Sequence, residues 1–131
     1  MLVETSAIVA ILLEEPDAVD FVERIDAAEK PVTTVVNAFE AALSVGRTIE
    51  NYRLASRLVP ELLEKIGVAM VGVEPDIYDH VVDAYLRYGK GTGHPAKLNF
   101  GDCFSYAFAK RTGTPLLYKG NDFAQTDMAG S

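Results

Sequence analysis

Cysteine, histidine and basic residues are scarce in this sequence. The single cysteine, Cys103, excludes an internal disulfide and fits a reducing compartment. Cys103, His80 and His94 lack the spacing of a zinc site. Lys and Arg total 12 against 19 Asp and Glu, for a net charge of −7. This balance argues against a protein that coats nucleic acid with a basic face. It does not exclude a nuclease, because a metal site itself concentrates carboxylates.

Long hydrophobic runs are also missing. The longest apolar run, from Ala7 to Leu13, is far too short to span a bilayer. No positively charged stretch precedes an apolar segment at the N-terminus, and Glu4 comes early, so we expect no signal peptide. We therefore expect a cytoplasmic protein that does not bind membranes.

The order of apolar segments predicts one α/β domain over residues 1–131. Short buried or β-branched runs predict strands at 2–3, 31–35, 68–73 and 115–118. Helical spacing predicts a helix capped by Thr5 or Ser6, one whose first turn holds Pro16, and further helices over 36–46, 54–66, 75–88 and 99–111. We expect a kink or break at Pro60 and a loose extreme C-terminus after the polar residues from Ala124 onward. The fold class is a three-layer α/β fold with a short parallel sheet of four to five strands between helices.

Four carboxylates are predicted at one edge of this sheet. Glu4 follows the first strand, Glu40 lies in the helix after the second, Asp102 starts a later helix, and Asp122 follows the fourth strand. In parallel α/β sheets, ligands bind beyond the carboxyl ends of the strands. Hard oxygen ligands with few histidines suit Mg²⁺, with Mn²⁺ as a substitute. We therefore predict that the four acids converge on one divalent-metal site.

Three of the four acids also have an interpretation that needs no metal. Asp102 is stabilised at a helix N-terminus by about 0.3–1 kcal/mol whatever its function. Asp122 suits a turn after Gly120 and Asn121. Glu40 could be a solvated helix residue, but its neighbours are Ala, Phe and Leu, among which a carboxylate is costly to bury unpaired.

Several segments together carry a family resemblance: Val3–Ile11, the alanine-rich helix around Glu40, Tyr88–Gly91, Leu98–Tyr106, and Pro115–Phe123 with Thr126 and Asp127. Through these segments the chain resembles the PIN-domain ribonucleases of the VapC toxin type over nearly its whole length. The resemblance implies a PIN-like fold and a Mg²⁺-dependent endoribonuclease that cleaves structured RNA of the tRNA or rRNA class and inhibits translation.

The resemblance also implies roles and partners. Glu4 and Asp102 would be the main direct metal ligands, and Glu40 and Asp122 would bind a second ion or act through water. Thr5, Ser6 and Asn121 would orient the acids. Candidates for RNA-phosphate contacts are Lys119, the best placed of them, and Lys90, Lys97 and His94. The implied partner is a small antitoxin with a basic C-terminal segment, in hetero-oligomers that contact DNA only through the antitoxin. A homodimer is also implied, for which the apolar positions Tyr52, Leu54 and Tyr85 are candidates.

The sequence departs from the family pattern at two places. Relatives usually carry aspartate where this chain has Glu4, and the extra methylene moves the carboxylate by roughly 1.5 Å. Mg²⁺ requires near-octahedral geometry, so reduced activity is expected. Relatives also often carry acids where Gly120 and Asn121 stand, which leaves Asp122 as the fourth candidate ligand.

Two other functions compete with this reading. One is a catalytically weakened toxin that acts mainly as the antitoxin-binding partner in an autoregulatory complex. The other is a phosphoacceptor receiver-like domain. The receiver reading is disfavoured because the third strand leads to Glu74, Pro75 and Asp76, which open a helix.

Overall fold

Four short parallel strands form the centre of the fold, in a computed structural model that describes residues 1–130. The strands are β1 (Leu2–Val3), β2 (Val32–Thr34), β3 (Ala69–Val71) and β4 (Leu116–Leu117). Their order across the sheet is β3-β2-β1-β4, and every adjacent pair is parallel. The predicted parallel α/β sheet is therefore confirmed, at four strands within these residues.

Six α-helices occur in residues 1–130. They are α1 (Thr5–Leu12), α2 (Ala18–Ala27), α3 (Val35–Ile49), α4 (Tyr52–Ile66), α5 (Tyr78–Tyr88) and α6 (Phe100–Thr112). Short 3-10 turns at Pro75–Ile77 and Phe123–Gln125 complete the regular structure. None of these helices is both long and apolar enough to cross a membrane.

The helices cover both faces of the sheet, because neighbouring strand residues point in opposite directions. Val3 and Leu117 pack in one core with residues of α1 to α4. Leu2 and Leu116 pack in a second core with residues of α5 and α6, including Cys103. All four of these strand residues are at most 1% exposed, which explains why the strands read as continuous apolar runs.

Helix boundaries correct several predictions. The N-cap of α1 is Glu4, not Thr5 or Ser6, because β1 ends at Val3 and leaves only one residue before the helix. Pro16 lies in the turn before α2, whose N-cap is Asp17. Helix α3 extends past Gly46 to Ile49, and Gly46 does not end the helix but makes room for the aromatic ring of Tyr52, which fills the space where a side chain would lie.

The predicted break at Pro60 is absent, since α4 runs through it. Proline removes only one backbone donor, and three buried side chains, Ala55, Val59 and Leu63, hold the helix against the core. Near the C-terminus, Thr126 and Met128 are packed, at 7% and 9% exposure, whereas Ala129 and Gly130 are exposed. Ser131 lies outside the described residues.

Candidate active site

A cavity of about 300 Å³ opens at the carboxyl edge of the sheet. Glu4 and Ser6 at the start of α1, Glu40 on α3, Asp102 on α6 and Lys119 after β4 are among its lining residues. Because every strand of the sheet ends at this edge, segments far apart in sequence meet here. Three of the four predicted acids thus share one cavity, which we call the acidic cavity.

Glu4 is the most deeply buried of these acids, at 3% exposure. One carboxylate oxygen, Oε2, accepts hydrogen bonds from the Ser6 backbone N–H at 2.8 Å and from the Ser6 hydroxyl. Burial raises the pKa of Glu4 to about 7, against the lowering effect of the Ser6 hydrogen bonds and with smaller contributions from the charges of Asp102 and Glu40. Glu4 therefore caps α1, and burial makes its ionised form energetically unfavourable.

Asp102 is 8% exposed and forms a capping box with Asn99 at the N-terminus of α6. Its Oδ2 accepts from the Asn99 backbone N–H at 3.0 Å, and its own N–H donates to Asn99 Oδ1 at 2.8 Å. Burial raises the pKa of Asp102 to about 6, opposed by the Asn99 hydrogen bond and helped by the charges of Asp122 and Glu40. The capping box holds this carboxylate in a fixed place.

Glu40 is half-buried and lies directly over Gly101. Its Oε1 accepts a hydrogen bond from Thr5 Oγ1 at 3.1 Å. Burial raises the pKa of Glu40, and the Thr5 hydrogen bond lowers it in part. A Cβ at Gly101 would come within 2.0 Å of Glu40 Oε2, so a glycine is needed for this close approach. The residue before Asp102 thereby makes room for the third acid.

Asp122 and Asn121 are placed differently from the other predicted site residues. Both are exposed at the start of the last 3-10 turn, and neither is among the lining residues of the acidic cavity. Asp122 is nevertheless near enough for its charge to raise the pKa of Asp102. The structure thus brings three acids together and leaves the fourth at the periphery.

Of the four candidate phosphate contacts, only Lys119 lines the acidic cavity. Its ammonium is 2.8 Å from Glu15 Oε1 and 3.7 Å from Asp17 Oδ1, and its backbone N–H donates to Ser6 Oγ at 2.8 Å. Lys90 and Lys97 are exposed in the loop between α5 and α6. His94, in the same loop, accepts from the Ala96 N–H through Nδ1 and packs its ring against another aromatic side chain.

Sequence reasoning missed the buried polar residues behind the acids. Asn37 is 1% exposed and donates through Nδ2 to Thr5 Oγ1 at 3.1 Å and to Ser105 Oγ at 2.7 Å. It lies three residues before Glu40, hence on the same side of α3. Like Glu40, Asn37 is a polar side chain among apolar neighbours in the same helix, and this is the sequence signal that marks it.

The residues of the acidic cavity fit a hard divalent cation by chemistry and charge. Three carboxylates face a cavity whose lysine is paired with other acids, and burial raises the pKa of each of the three. Within residues 1–130, no three His, Cys, Asp or Glu side chains stand as a ready-made ligand group. The carboxylates of Glu4 and Asp102 are instead engaged by neighbouring N–H groups. Mg²⁺ commonly keeps several waters, so direct contact with every acid is not required.

The fold and the acidic cavity define a PIN-domain protein. The sequence pattern of the family described as "PIN domain" matches residues 1–128. The crystal structure of Mycobacterium tuberculosis VapC20, described as a sarcin-ricin loop cleaving toxin, superposes with a TM-score of 0.69 over 94% of this chain and 92% of that one. At 16% identity, that likeness concerns the fold.

Relatives found by sequence show to which group of PIN-domain proteins the chain belongs. A ribonuclease VapC of Mycolicibacterium smegmatis is 45% identical, over 98% of each chain. Ribonuclease VapC42 of Mycobacterium tuberculosis is 40% identical, over 98% of this chain and 96% of that one. A VapC ribonuclease of Rhizobium meliloti is 41% identical, over 96% and 97% of the two chains. The chain therefore belongs to the VapC ribonuclease family, as its sequence motifs predict.

Proposed function

We propose that this chain is a Mg²⁺-dependent endoribonuclease and the toxin component of a toxin–antitoxin pair. The observation that carries the proposal is the meeting of Glu4, Glu40 and Asp102 in one cavity at the carboxyl edge of the sheet. Membership in a family of ribonucleases supports the reaction class. The three acids bring concentrated negative charge to a place open to solvent, which is what a cation with a phosphate substrate requires.

When bound, Mg²⁺ would supply activation of water and neutralisation of charge on the phosphate. Glu4 and Asp102 are the proposed direct ligands, and Glu40 and Asp122 the proposed ligands of a second ion or of its waters. Thr5 and Ser6 hold the acids in place through hydrogen bonds to Glu40 and Glu4. Lys119 lines the same cavity and is the proposed contact to substrate phosphate.

The direct test is RNA cleavage by the purified chain with Mg²⁺ or Mn²⁺, compared with Asp102→Asn. We expect cleavage to fall by at least about 100-fold, because asparagine removes a ligand charge where the transition state needs the cation. The matched control is Asp26→Asn, which makes the same change at an exposed site on α2. Equal cleavage by Asp102→Asn and the unmodified protein would exclude the assigned role.

The proposed substrate is structured RNA of the tRNA or rRNA class, and the proposed consequence is inhibition of translation. Support comes from the similar fold of VapC20, which is described as cleaving the sarcin-ricin loop. Incubating intact tRNA and ribosomes separately with the protein distinguishes the two substrate classes. A single cut in one class, lost with EDTA, is the expected result. Cleavage of unstructured RNA alone would contradict it.

The proposed partner is a small antitoxin whose basic C-terminal segment enters the acidic cavity. Uncompensated carboxylates attract a guanidinium, which supports this choice. DNA contact would come only through the antitoxin, in cytoplasmic hetero-oligomers. A homodimer of the toxin is proposed as well. Tyr52 and Tyr85 are 55% and 48% exposed, so both remain available for such an interface. Light scattering of the purified chain, with Tyr85→Lys as the variant, measures the oligomeric state.

A second candidate function is that of a weakened enzyme that acts mainly by binding the antitoxin. The observation that favours it is the Glu4 carboxylate, which is bonded to Ser6 at the start of its own helix. Restoring the shorter acid with Glu4→Asp is then expected to raise the cleavage rate several-fold, roughly 1 kcal/mol in the barrier. An unchanged or lower cleavage rate would refute the idea that Glu4 lowers the activity. Calorimetric titration that detects antitoxin but no Mg²⁺ would favour the binding function.

A further inference from the structure

A fully buried amide connects the three segments that carry the acids. Asn37, on α3, bonds Thr5 at the start of α1 and Ser105 on α6. Thr5 follows Glu4 and bonds Glu40, and Ser105 lies one turn after Asp102. We propose that Asn37 is a positioning residue that sets the spacing of these segments and thereby the affinity of the site for a divalent cation. The inference rests on the proposed metal-dependent function.

The hydrogen bonds fix which way the Asn37 amide points. Thr34 Oγ1 accepts the Asn37 backbone N–H at 3.1 Å and donates its own proton to Asn37 Oδ1 at 2.7 Å. The amide oxygen therefore faces Thr34, and the NH₂ group faces the other two hydroxyls. An amide is the only common side chain that offers one acceptor and two donors in this arrangement.

The direction of the next bond follows from this orientation. Thr5 Oγ1 accepts from Asn37, so its single proton is free for another acceptor. The nearer of two acceptors is Glu40 Oε1 at 3.1 Å, against 3.3 Å for the Asn37 backbone oxygen. A hydroxyl that donates to a carboxylate makes the stronger, charge-assisted kind of bond. Asn37 thus directs the Thr5 proton toward Glu40.

The second donor of the amide ties α6 to the same point. Ser105 Oγ accepts from Asn37 at 2.7 Å and donates weakly to Gly101 O at 3.4 Å. Gly101 is the residue over which the Glu40 carboxylate lies, and it directly precedes Asp102. Both ends of the network therefore reach the place where Glu40 and Asp102 come together. Ser105 and Asn37 are each 1% exposed, so water cannot replace either bond cheaply.

The test is direct binding of Mn²⁺ alone, measured by calorimetry and by the EPR signal of free Mn²⁺. Asn37→Ala is expected to weaken Mn²⁺ binding by about tenfold, the low end of the effect of losing a direct partner of a ligand, because Asn37 reaches Glu40 through Thr5. Thr5→Val and Ser105→Ala change the shape of the two neighbours little, remove the hydroxyl that accepts from Asn37 together with the bond that hydroxyl donates, and carry the test if Asn37→Ala does not fold. The control is Val59→Ala, a core change on α4 that lowers stability without touching the network.

The double variant Asn37→Ala with Thr5→Val distinguishes a specific effect of Asn37 on the position of Glu40 from a general loss of packing. If both residues act on Glu40 along one path, the double variant binds Mn²⁺ no more weakly than the weaker single variant. If the losses of Mn²⁺ affinity in the two single variants multiply in the double variant, the inference is wrong. It is also wrong if Asn37→Ala loses no more Mn²⁺ affinity than Val59→Ala does. In both cases the proposed function is unaffected. Absence of Mn²⁺ binding by the unmodified protein would instead overturn both.

Discussion

Two polar clusters that include residues of α6 differ in whether their carboxylate charges are compensated. At the N-terminus of α6, Asp102 shares the acidic cavity with two other carboxylates, and its pKa is raised. Further along α6, Tyr106 and Lys110 bind Asp127 at 2.6 Å and 2.8 Å. We call the second group, with Arg87 at 3.7 Å from Asp127, the C-terminal ion cluster.

The difference lies in compensation. Burial raises the pKa of Asp127, but hydrogen bonds and charges from Lys110, Tyr106 and Arg87 outweigh it and lower that pKa below its usual value. In the acidic cavity, burial has no comparable opponent, because Lys119 is paired with Glu15 and Asp17. One cluster uses a compensated carboxylate to hold the C-terminal segment, and the other contains uncompensated carboxylates whose ionisation costs stability.

The largest predicted effect of this difference is on pH dependence. Glu4 and Asp102 have folded pKa values of about 7 and about 6, above their ordinary values of 4.5 and 3.8. A raised carboxyl pKa means that the native state binds the proton more tightly than the unfolded chain does. Without metal, stability should therefore fall as pH rises from about 4.5 to about 7.5, by roughly 3 kcal/mol for Glu4 alone.

Denaturant melts at several pH values, with EDTA and with saturating Mg²⁺, measure this effect. Mg²⁺ should flatten the profile, because the cation compensates the ionised acids. Glu4→Gln should remove the Glu4 share of the slope without metal and leave the share of Asp102, since the amide oxygen can still accept from Ser6. Stability that rises with pH over the same window in EDTA would show that these carboxylates are compensated after all.

A smaller effect is predicted for Gly101→Ala. The new Cβ would overlap the Glu40 carboxylate, which must leave its present place in the acidic cavity. We expect Mn²⁺ binding to weaken by about tenfold, while alanine offsets part of any loss of stability through its higher helix propensity. Mn²⁺ titration and thermal melts measure the two. The matched control is Gly113→Ala at the C-cap of α6, where positive φ makes alanine destabilising but the acidic cavity is untouched.

The smallest effect is predicted for Asp127→Asn. Its side chain is 36% exposed, so screening by solvent limits the loss of stability to about 1 kcal/mol. Mn²⁺ affinity should not change. Asp102→Asn should give the reverse result, with lost Mn²⁺ affinity and equal or higher metal-free stability. If the two variants behaved alike in both measurements, the distinction between the clusters would fail.

Much of the architecture could be predicted because local signals agreed with it. The Leu2–Val3 strand and the start of α6 at Asn99 were predicted from the sequence, since apolar runs and helix caps act locally. Errors arose where packing outweighed propensity, as at Pro60 in α4. The convergence of Glu4, Glu40 and Asp102 was predictable because a parallel sheet places all its strand ends at one edge.

What the sequence by itself determined is the α/β order of elements, the family, and three acids at one edge of the sheet. Only the tertiary structure decided that Lys119 pairs with Glu15 and that Asp122 stays peripheral. It also decided that Asn37 joins α1, α3 and α6. Caps and periodicity depend on neighbours within a few residues, whereas these contacts join positions 32 to 104 residues apart and exist only once the chain has packed.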